Sequence, residues 1–219
     1  MTTKTFLPEL RWTASALPNT ALSLVAIYSP EDDTVRAGGV AVPDADQPAA
    51  AAIGALLLSL MDRLAEVDPA TADREMNPMP VEAGAGSGAG SEPGAGRAAP
   101  VAEALAAYAA GHVTALDGLA VAQPGSAFRQ DAWEALRRIP AGAPRTYTQL
   151  ADDAGRPAAV RASASACAQN LVAVVVPCHR VTRADGTPGQ YLYGTPAKQA
   201  LLAHEARHAR SDDRADREA

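Results

Sequence analysis

The sequence has 219 residues, about a quarter of them alanine; aromatic residues make up only 4% and the formal net charge is −6. A chain of this length forms one large domain or two small ones, and its small side chains favour helices in close contact over an aromatic-rich sandwich. Two cysteines, Cys167 and Cys178, exclude a disulfide framework and a cysteine-rich zinc module. The acidic total gives no indication of a nucleic-acid-binding protein.

The N-terminal part predicts a β-hairpin followed by a helix. Segments 21–28 and 34–43 are rich in β-prone residues on either side of a turn, and 48–66 has apolar residues at helical spacing. The first twelve residues lack the basic stretch and apolar run of a signal peptide. The longest apolar run, 49–61, is too short to cross a bilayer. We therefore expect a cytoplasmic protein whose two thiols stay reduced.

Residues 76–100 are a tract of low complexity, with 6 Gly and 4 Pro. Such a tract buries too little apolar surface to offset its ordering entropy, so it predicts a disordered linker. It divides the chain into a degenerate sheet-plus-helix domain at 1–75 and a helix-turn-helix catalytic domain at 101–208. Residues 209–219 are charged and predict a frayed tail.

Five helices and one buried strand are predicted after this tract. The helices cover 101–111, a segment that begins after the N-cap Ser126, 147–154, 157–169 and 196–208, and the strand covers 171–176. Thr146 and Gln149 form a capping-box pattern, Gly155 fits a left-handed helix end, and Pro157 fits the first turn of the next helix. Two helices joined by so short a turn predict a helix-turn-helix unit. The fold class is α/β (α+β), with an N-terminal sheet and a helical C-terminal domain.

Charge is divided along the same boundary. Residues 1–126 carry 6 basic and 15 acidic side chains, a net charge of −9, while residues 127–205 carry 9 basic and 6 acidic side chains, a net charge of +3. The C-terminal half is therefore mildly basic, as a surface that faces nucleic acid needs to be.

The residues Pro177-Cys178-His179-Arg180 follow the predicted buried strand. A cysteine at a strand end is held rigidly, and adjacent basic groups favour the reactive thiolate. Glu205 lies 27 residues further on, on the core-facing side of the last helix, where a buried carboxylate needs a partner such as an imidazole. Cys178, His179 and Glu205 thus form a candidate set of nucleophile, base and orienting group. The alternative is that Cys178 is a small buried hydrophobe, which is how we interpret Cys167.

Residues of defined type and spacing between 128 and 205 agree with a known family. They are Trp133-Glu134-Ala135-Leu136, Ile139-Pro140-Ala141-Gly142, Thr146-Tyr147, Gly155-Arg156-Pro157, Arg161, Asn170, Val176-Pro177-Cys178-His179-Arg180-Val181, Gly189, Tyr191, Lys198 and Leu201-Leu202-Ala203-His204-Glu205. On these residues the stretch from Phe128 to Glu205 resembles the O6-methylguanine-DNA methyltransferases, suicide repair proteins that take an alkyl group from guanine onto a cysteine. The N-terminal part agrees only as a degenerate domain of the kind that this family also carries.

The resemblance implies a catalytic role for four residues. Cys178 would accept the alkyl group, and His179 would remove its proton through a water molecule. Glu205 would orient the imidazole, and Asn170 would stiffen the turn between the recognition helix and the active-site strand. No cofactor and no zinc site are expected.

The resemblance also implies a DNA-binding set. Tyr147 would push on the phosphate of the target nucleotide, and Arg161 would fill the gap in the base stack. The backbone carbonyls of Cys178 and Val181 would read the guanine amino group. Tyr191 would line the pocket, and Lys198 belongs to the same substrate- and DNA-binding group. The expected partner is double-stranded DNA with an alkylated guanine, bound by a monomer through the minor groove, without a membrane.

The chemistry supports this set, because O6 of a paired guanine lies within the stack and the nucleotide must be flipped out for attack. An inserted arginine offsets part of the unstacking cost. Without the surrounding motifs, Arg161 would be a solvated helix charge and the Ala/Ser run after it a close helix contact.

Four residues depart from the family pattern. Leu171 and Ala173 replace prolines of many members, which predicts a looser pocket wall. Leu192 removes a hydroxyl, and Tyr193 is expected to narrow the pocket, so that methyl adducts are repaired well and benzyl adducts poorly.

The function predicted is irreversible transfer of a methyl group from O6-methylguanine, with O4-methylthymine as a further candidate substrate, to Cys178. One alternative is a non-repairing lesion sensor or helix-turn-helix regulator. Another is a cysteine hydrolase, which would need an oxyanion hole and repeated turnover.

Overall fold

The computed structural model describes residues 9–78 and 100–218. A four-stranded sheet forms its N-terminal part, with strand order β3-β2-β1-β4. The strands are β1 (Leu10–Ala16), β2 (Ser23–Ser29), β3 (Thr34–Ala41) and β4 (Met76–Pro78). The first three are antiparallel, whereas β4 runs parallel to β1. Helix α1 (Ala49–Val67) packs on β3, and the short α2 (Pro69–Ala72) follows it.

The predicted hairpin and first helix are confirmed, since β2 and β3 pair across the expected turn. Two strands were missed. In β1 the apolar residues Leu10, Trp12 and Ala14 alternate with polar ones, a period-2 pattern that would have predicted it. Strand β4 lies inside the predicted linker 76–100, so that boundary is wrong: residues 76–78 pair with β1. The rest of the tract, 79–99, lies outside the described residues.

The C-terminal part contains five helices and a two-stranded parallel sheet. In chain order they are α3 (Pro100–Ala109), α4 (Ala127–Arg137), β5 (Arg145–Thr146), α5 (Tyr147–Asp153), α6 (Val160–Ala168), a 3-10 turn (Cys178–Arg180), β6 (Val181–Thr182) and α7 (Thr195–Glu218). Helices α5 and α6 pack against each other as the predicted helix-turn-helix. The described residues include no helix with the length and apolar character needed to cross a bilayer.

Two helix predictions in this part need correction. Pro157 lies in the turn before α6 and not in its first helical turn, because a turn closed by the Ala159 N–H on the Arg156 carbonyl delays the helix to Val160. Helix α7 continues to Glu218, beyond the predicted end at 208. The division into domains remains a prediction.

The segment 171–176 is buried, as predicted, but it is a tight loop and not a strand. It makes only isolated bridges, to Gly38 and between Ala173 and Val176, and Val174 has a φ of 77°. A run of apolar residues predicts that a segment is buried, but it does not distinguish a strand from a buried loop.

Strand β2 is buried on both faces and joins the two halves of the molecule. Leu24, Ala26 and Tyr28 face the cluster that contains the C-terminal helices, while Val25 and Ile27 face the cluster under α1. The sheet is therefore a middle layer, and the loop that carries Cys178 packs on it.

The capping box at the start of α5 gives a local test of the fold. The Thr146 hydroxyl accepts from the Gln149 N–H at 3.2 Å, and the Gln149 side chain accepts from the Thr146 N–H at 2.8 Å. We expect Thr146→Ala to lower the free energy of unfolding by about 1 kcal/mol in urea titrations. Thr148→Ala, at an exposed position of the same helix, is the matched control. Equal effects of the two variants would show that the cap contributes nothing.

Candidate active site

Asn170 is the centre of the hydrogen bonds that shape the loop before Cys178. Its Nδ2 donates to the Val176 carbonyl at 2.7 Å and to Sγ of Cys178 at 3.2 Å. Its Oδ1 accepts from the Val172 N–H and from Nε2 of Gln123, both at 3.1 Å. One buried amide therefore holds both ends of the loop and contacts the sulfur.

The loop contains a strained residue. Val174 is β-branched and has a φ of 77°, in the left-handed region that such residues avoid. A backbone of this kind costs about 1–3 kcal/mol and persists only where surrounding contacts enforce it. The bonds of Asn170 to both sides of Val174 are contacts of this type, so the loop has one conformation imposed on it.

Cys178 begins the 3-10 turn and is only 6% exposed. Burial raises the pKa of its thiol above the ordinary value; the Asn170 hydrogen bond and the positive charge of Lys198 oppose this only in part. Nearby cations thus favour the thiolate, but in the resting protein burial outweighs them. The sulfur carries its proton at neutral pH, and a base has to remove that proton during reaction.

His179 and Glu205 form the predicted pair. Nε2 of His179 lies 3.0 Å from Oε1 of Glu205, and both side chains are fully buried. Glu205 also accepts from the Arg180 guanidinium, at 2.8 Å from Nη2, and from the Tyr108 hydroxyl at 2.8 Å. Burial by itself would raise the pKa of Glu205, but His179 and Arg180 outweigh it and lower the pKa to about 2.

The charge on Glu205 fixes the tautomer of His179. An ionised carboxylate only accepts hydrogen bonds, so Nε2 of His179 carries a proton, and in the neutral imidazole the lone pair is then on Nδ1. Nδ1 is buried and has no hydrogen-bond partner among the described residues. Nδ1 of His179, the residue that follows Cys178 in the chain, is thus the ring atom that can accept a proton.

A pocket of about 320 Å³ opens in front of Cys178. Its walls come from the start of α5, the end of α6 and the segment before α7, and consist of Tyr147, Ala164, Cys167, Ala168, Cys178, Gln190, Tyr191 and Leu192. The Tyr191 hydroxyl is buried and unpaired within the described residues, which leaves it available to a bound molecule. Leu192 is 56% exposed at the edge of the pocket.

Cys167 is the second thiol of this pocket. Burial raises the pKa of Cys167 above its ordinary value, and the nearby Cys178 adds to this increase. Asn170 bonds only the backbone carbonyl of Cys167 and not its sulfur, and no histidine is next to Cys167 in the sequence. Its interpretation as an unreactive residue stays a prediction.

The remaining predicted residues lie around the pocket at different depths. Arg161 is exposed on α6 and Val181 is buried in β6. Lys198 is only 1% exposed, donates to the Val181 carbonyl and lies 6.0 Å from the centre of the Tyr191 ring. Lys198 therefore contacts the pocket residues and not solvent, and a direct contact of Lys198 with DNA remains a prediction. In the part of the chain that the structure describes, no His, Cys, Asp and Glu side chains are grouped as a metal site requires.

The departures from the family pattern have a structural explanation. The N–H of Leu171 donates to Gln123 at 2.9 Å, and the N–H of Ala173 donates to the Gly38 carbonyl at 3.0 Å. Prolines at these positions would have no N–H to donate. The hydrogen bonds of Leu171 and Ala173 therefore argue against the looser pocket wall that the loss of the two prolines predicts. Tyr193 lies against β3 and is absent from the pocket walls, so its predicted narrowing of the pocket is not direct.

Three residues that complete the site are not among the predicted site residues. Arg180 is buried, and its position beside His179 in a buried segment was a usable signal, since a buried arginine needs an anion. Tyr108 is the only aromatic residue of the Ala-rich helix α3, and Gln123 lies in a loop. Nothing local marks either of them, because their partners are 47 or more residues away in the chain.

The buried state of Cys178 predicts its behaviour toward a small electrophile. In a Cys167→Ser background, the rate of alkylation by iodoacetamide should rise with pH to above 9 without a plateau, because the pKa of the folded thiol is raised. The urea-unfolded variant is the control. Its alkylation rate should level off once the pH exceeds the ordinary pKa of cysteine. A plateau below pH 8 in the folded protein would contradict a neutral resting thiol.

Comparisons with known proteins agree with this geometry. The family model described as "6-O-methylguanine DNA methyltransferase, DNA binding domain" matches residues 127–207. The chain is 54% identical over 82 residues to the bifunctional transcriptional activator/DNA repair enzyme Ada of Escherichia coli, covering 37% of this chain and 23% of that protein. It is 44% identical over 107 residues to a methylated-DNA--protein-cysteine methyltransferase of Mycolicibacterium paratuberculosis. This match covers 49% of this chain and 64% of that protein. The chain thus spans less than two thirds of these relatives.

Solved structures extend the likeness of the fold beyond this region. The crystal structure of Mycobacterium tuberculosis O6-methylguanine methyltransferase superposes with a TM-score of 0.57 at 23% identity, covering 91% of this chain and 94% of that one. The Pyrococcus kodakaraensis enzyme has a TM-score of 0.58 at 20% identity. At this level of identity the likeness shows a shared fold. Residues 127–207 thus match the DNA-binding domain of the 6-O-methylguanine DNA methyltransferases, and the likeness of the rest of the chain to such proteins is one of fold.

Proposed function

We propose that this protein repairs DNA by transferring a methyl group from O6-methylguanine to Cys178. The observation that carries the proposal is the contact of 3.2 Å between Nδ2 of Asn170 and the buried Sγ of Cys178, beside the His179–Glu205 pair. The names of the curated relatives, which describe them as methylated-DNA--protein-cysteine methyltransferases, support it. A pocket of about 320 Å³ has room for one base.

The transfer begins with loss of the thiol proton to Nδ1 of His179 through a water molecule. The sulfur then attacks the methyl carbon, an S–C bond forms, and the bond from carbon to O6 breaks with its electron pair left on the guanine. A proton then returns to the guanine anion, so the product in the DNA is ordinary guanine. The product, S-methylcysteine, is a thioether and a poor leaving group, so each molecule acts once. No cofactor takes part.

Duplex DNA is the proposed partner, and its minor groove is the proposed approach to α6. Ala162, Ala164 and Ser165 are exposed on this helix, and their small size allows close approach without base-reading groups. Arg161 on the same helix is exposed and able to fill the gap left by a flipped nucleotide. Tyr147 would contact the displaced phosphate, and Val181 and Tyr191 would hold the base. We propose that the protein acts as a monomer in the cytoplasm.

The test is methyl uptake from duplex DNA that contains radiolabelled O6-methylguanine. We expect one label per wild-type molecule, also one per Cys167→Ala molecule, and none on Cys178→Ala. The Cys167 variant is the matched control, because it removes the other of the two thiols. Repeated release of label would indicate a hydrolase, and binding of the lesion without transfer would indicate a sensor. Either outcome rejects the proposal.

A further inference from the structure

Two consecutive glycines of β3 lie against loops of the active-site region. The N–H of Gly38 donates to the Leu171 carbonyl at 2.9 Å, and the Gly38 carbonyl accepts from the Ala173 N–H at 3.0 Å. A methyl group on Gly38 would lie 3.2 Å from the Ala173 carbonyl oxygen, closer than most such contacts. The sheet therefore approaches the Asn170–Cys178 loop at a position where a side chain would be crowded.

Gly39 provides the space for a second contact. The Tyr193 hydroxyl donates to the Gly38 carbonyl at 3.3 Å, and its ring lies over Gly39. A methyl group on Gly39 would lie 2.7 Å from Cζ of Tyr193 and closer still to the hydroxyl. The absence of a side chain at Gly39 is thus what lets Tyr193 reach β3.

Tyr193 connects this contact to the pocket. Its ring meets Tyr191 edge-on, with 5.4 Å between ring centres and 71° between planes. Tyr191 lines the pocket with Cys178, whereas Tyr193 packs against both apolar clusters of the molecule. Tyr193 is therefore the support behind Tyr191, held in turn by the N-terminal sheet.

We propose that β3 positions Tyr191 for methyl transfer by holding Tyr193 against the bare backbone of Gly39. Tyr193 is then a positioning residue, and the N-terminal sheet is part of the active-site scaffold. The effect of this contact on the rate of methyl transfer rests on the proposed function, whereas the positioning of Tyr191 by Tyr193 does not depend on it. Since Tyr191 forms a wall in front of Cys178, its displacement moves the bound base relative to the sulfur, and misplacement of about 1 Å costs up to about 100-fold in rate.

The test variant is Gly39→Ala, because the added methyl displaces the far end of Tyr193 and not the backbone. At saturating methylated DNA, we expect the single-turnover rate constant to fall by about 10- to 100-fold. Affinity for unmodified duplex should stay unchanged within about twofold, because the atoms nearest to a methyl group at Gly39 belong to Tyr193 and not to α6. Gly54→Ala is the control, since a methyl group there meets nothing within 4 Å. Tyr193→Phe keeps the ring and should retain most of the rate.

A double-mutant cycle separates positioning from a general loss of stability. Tyr193→Leu removes the ring over Gly39, so Gly39→Ala should have little further effect on the rate in that background. Additive effects of the two changes would overturn the proposal. Wild-type rate in Gly39→Ala, with or without a lower melting temperature, would overturn the role in the reaction.

A measurement without DNA keeps this proposal distinguishable from the proposed function. The ring resonances of Tyr191, assigned by NMR of tyrosine-labelled protein, should shift in Gly39→Ala and stay unchanged in Gly54→Ala. Unchanged Tyr191 resonances in Gly39→Ala overturn the proposal. Absence of methyl transfer by the wild-type protein, with shifted resonances in Gly39→Ala, would reject the proposed function and retain the positioning of Tyr191 by β3.

Discussion

Replacement of Glu205 by alanine is expected to lower the free energy of unfolding by about 3–5 kcal/mol and to abolish methyl transfer. Glu205 is fully buried and accepts hydrogen bonds from His179, Arg180 and Tyr108. Its removal leaves the Arg180 guanidinium, itself 3% exposed, as a buried charge whose remaining hydrogen bond, among the described residues, is to the Ile139 carbonyl. The cost is that of an unpaired buried charge, which exceeds the value of the pair itself.

Urea unfolding measures this effect, and the surface of α4 offers a control. Glu134 lies 3.9 Å from Arg138 in a pair whose side chains are 77% and 57% exposed. Such exposed pairs contribute about 0–1 kcal/mol, so Glu134→Ala should change stability little. If Glu205→Ala costs no more than Glu134→Ala, the buried network does not stabilise the fold.

The same carboxylate makes part of the stability depend on pH. The pKa of Glu205 falls from 4.5 to about 2 in the folded protein. A lowered carboxylate pKa gives stability that is fully present above 4.5 and is lost as the pH falls from 4.5 toward 2. The difference in unfolding free energy between wild type and Glu205→Gln should therefore shrink over this interval. A constant difference down to pH 2.5 would contradict a lowered pKa of Glu205.

The sequence predicted those parts of the site that depend on local signals. The capping box at Thr146 and the hairpin follow from residue type and short-range pattern, and the His179–Glu205 contact follows from the core-facing position of Glu205 on the last helix. The loop at 171–176 was mistaken for a strand, because its path depends on hydrogen bonds of Asn170 and a strained Val174 that no pattern encodes.

Long-range partners could not be predicted in this way. Tyr108 and Gln123 reach the site across 97 and 47 residues of chain, and the contact of Tyr193 with Gly38 spans 155. A single sequence contains no periodicity that relates such positions. The part that the N-terminal sheet plays in the site was therefore visible only in three dimensions, although its hairpin was predicted.

Replacement of His179 by alanine is expected to slow methyl transfer at pH 7 by about 10²- to 10⁴-fold, the usual contribution of a general base. Burial keeps the Cys178 thiol protonated, and Nδ1 of His179 is the adjacent group with a free lone pair. Without it, the thiol has to ionise by itself. The single-turnover rate constant of His179→Ala should therefore rise about tenfold per pH unit until Cys178 ionises, because the thiolate fraction does so below its pKa.

The pH profile distinguishes a base from a residue that only supports the fold. Between pH 7 and 9, the single-turnover rate constant of the wild type should rise less steeply than that of His179→Ala. The two rate constants should therefore converge as the pH rises. Structural damage would lower the rate by the same factor at every pH, and parallel profiles would therefore reject the role of base. His204→Ala is the control: the His204 side chain is also buried, but its ring bonds the Tyr108 carbonyl at 2.8 Å and not the Glu205 carboxylate. Its profile should keep the shape of the wild type, because the proton path from Cys178 to His179 stays intact.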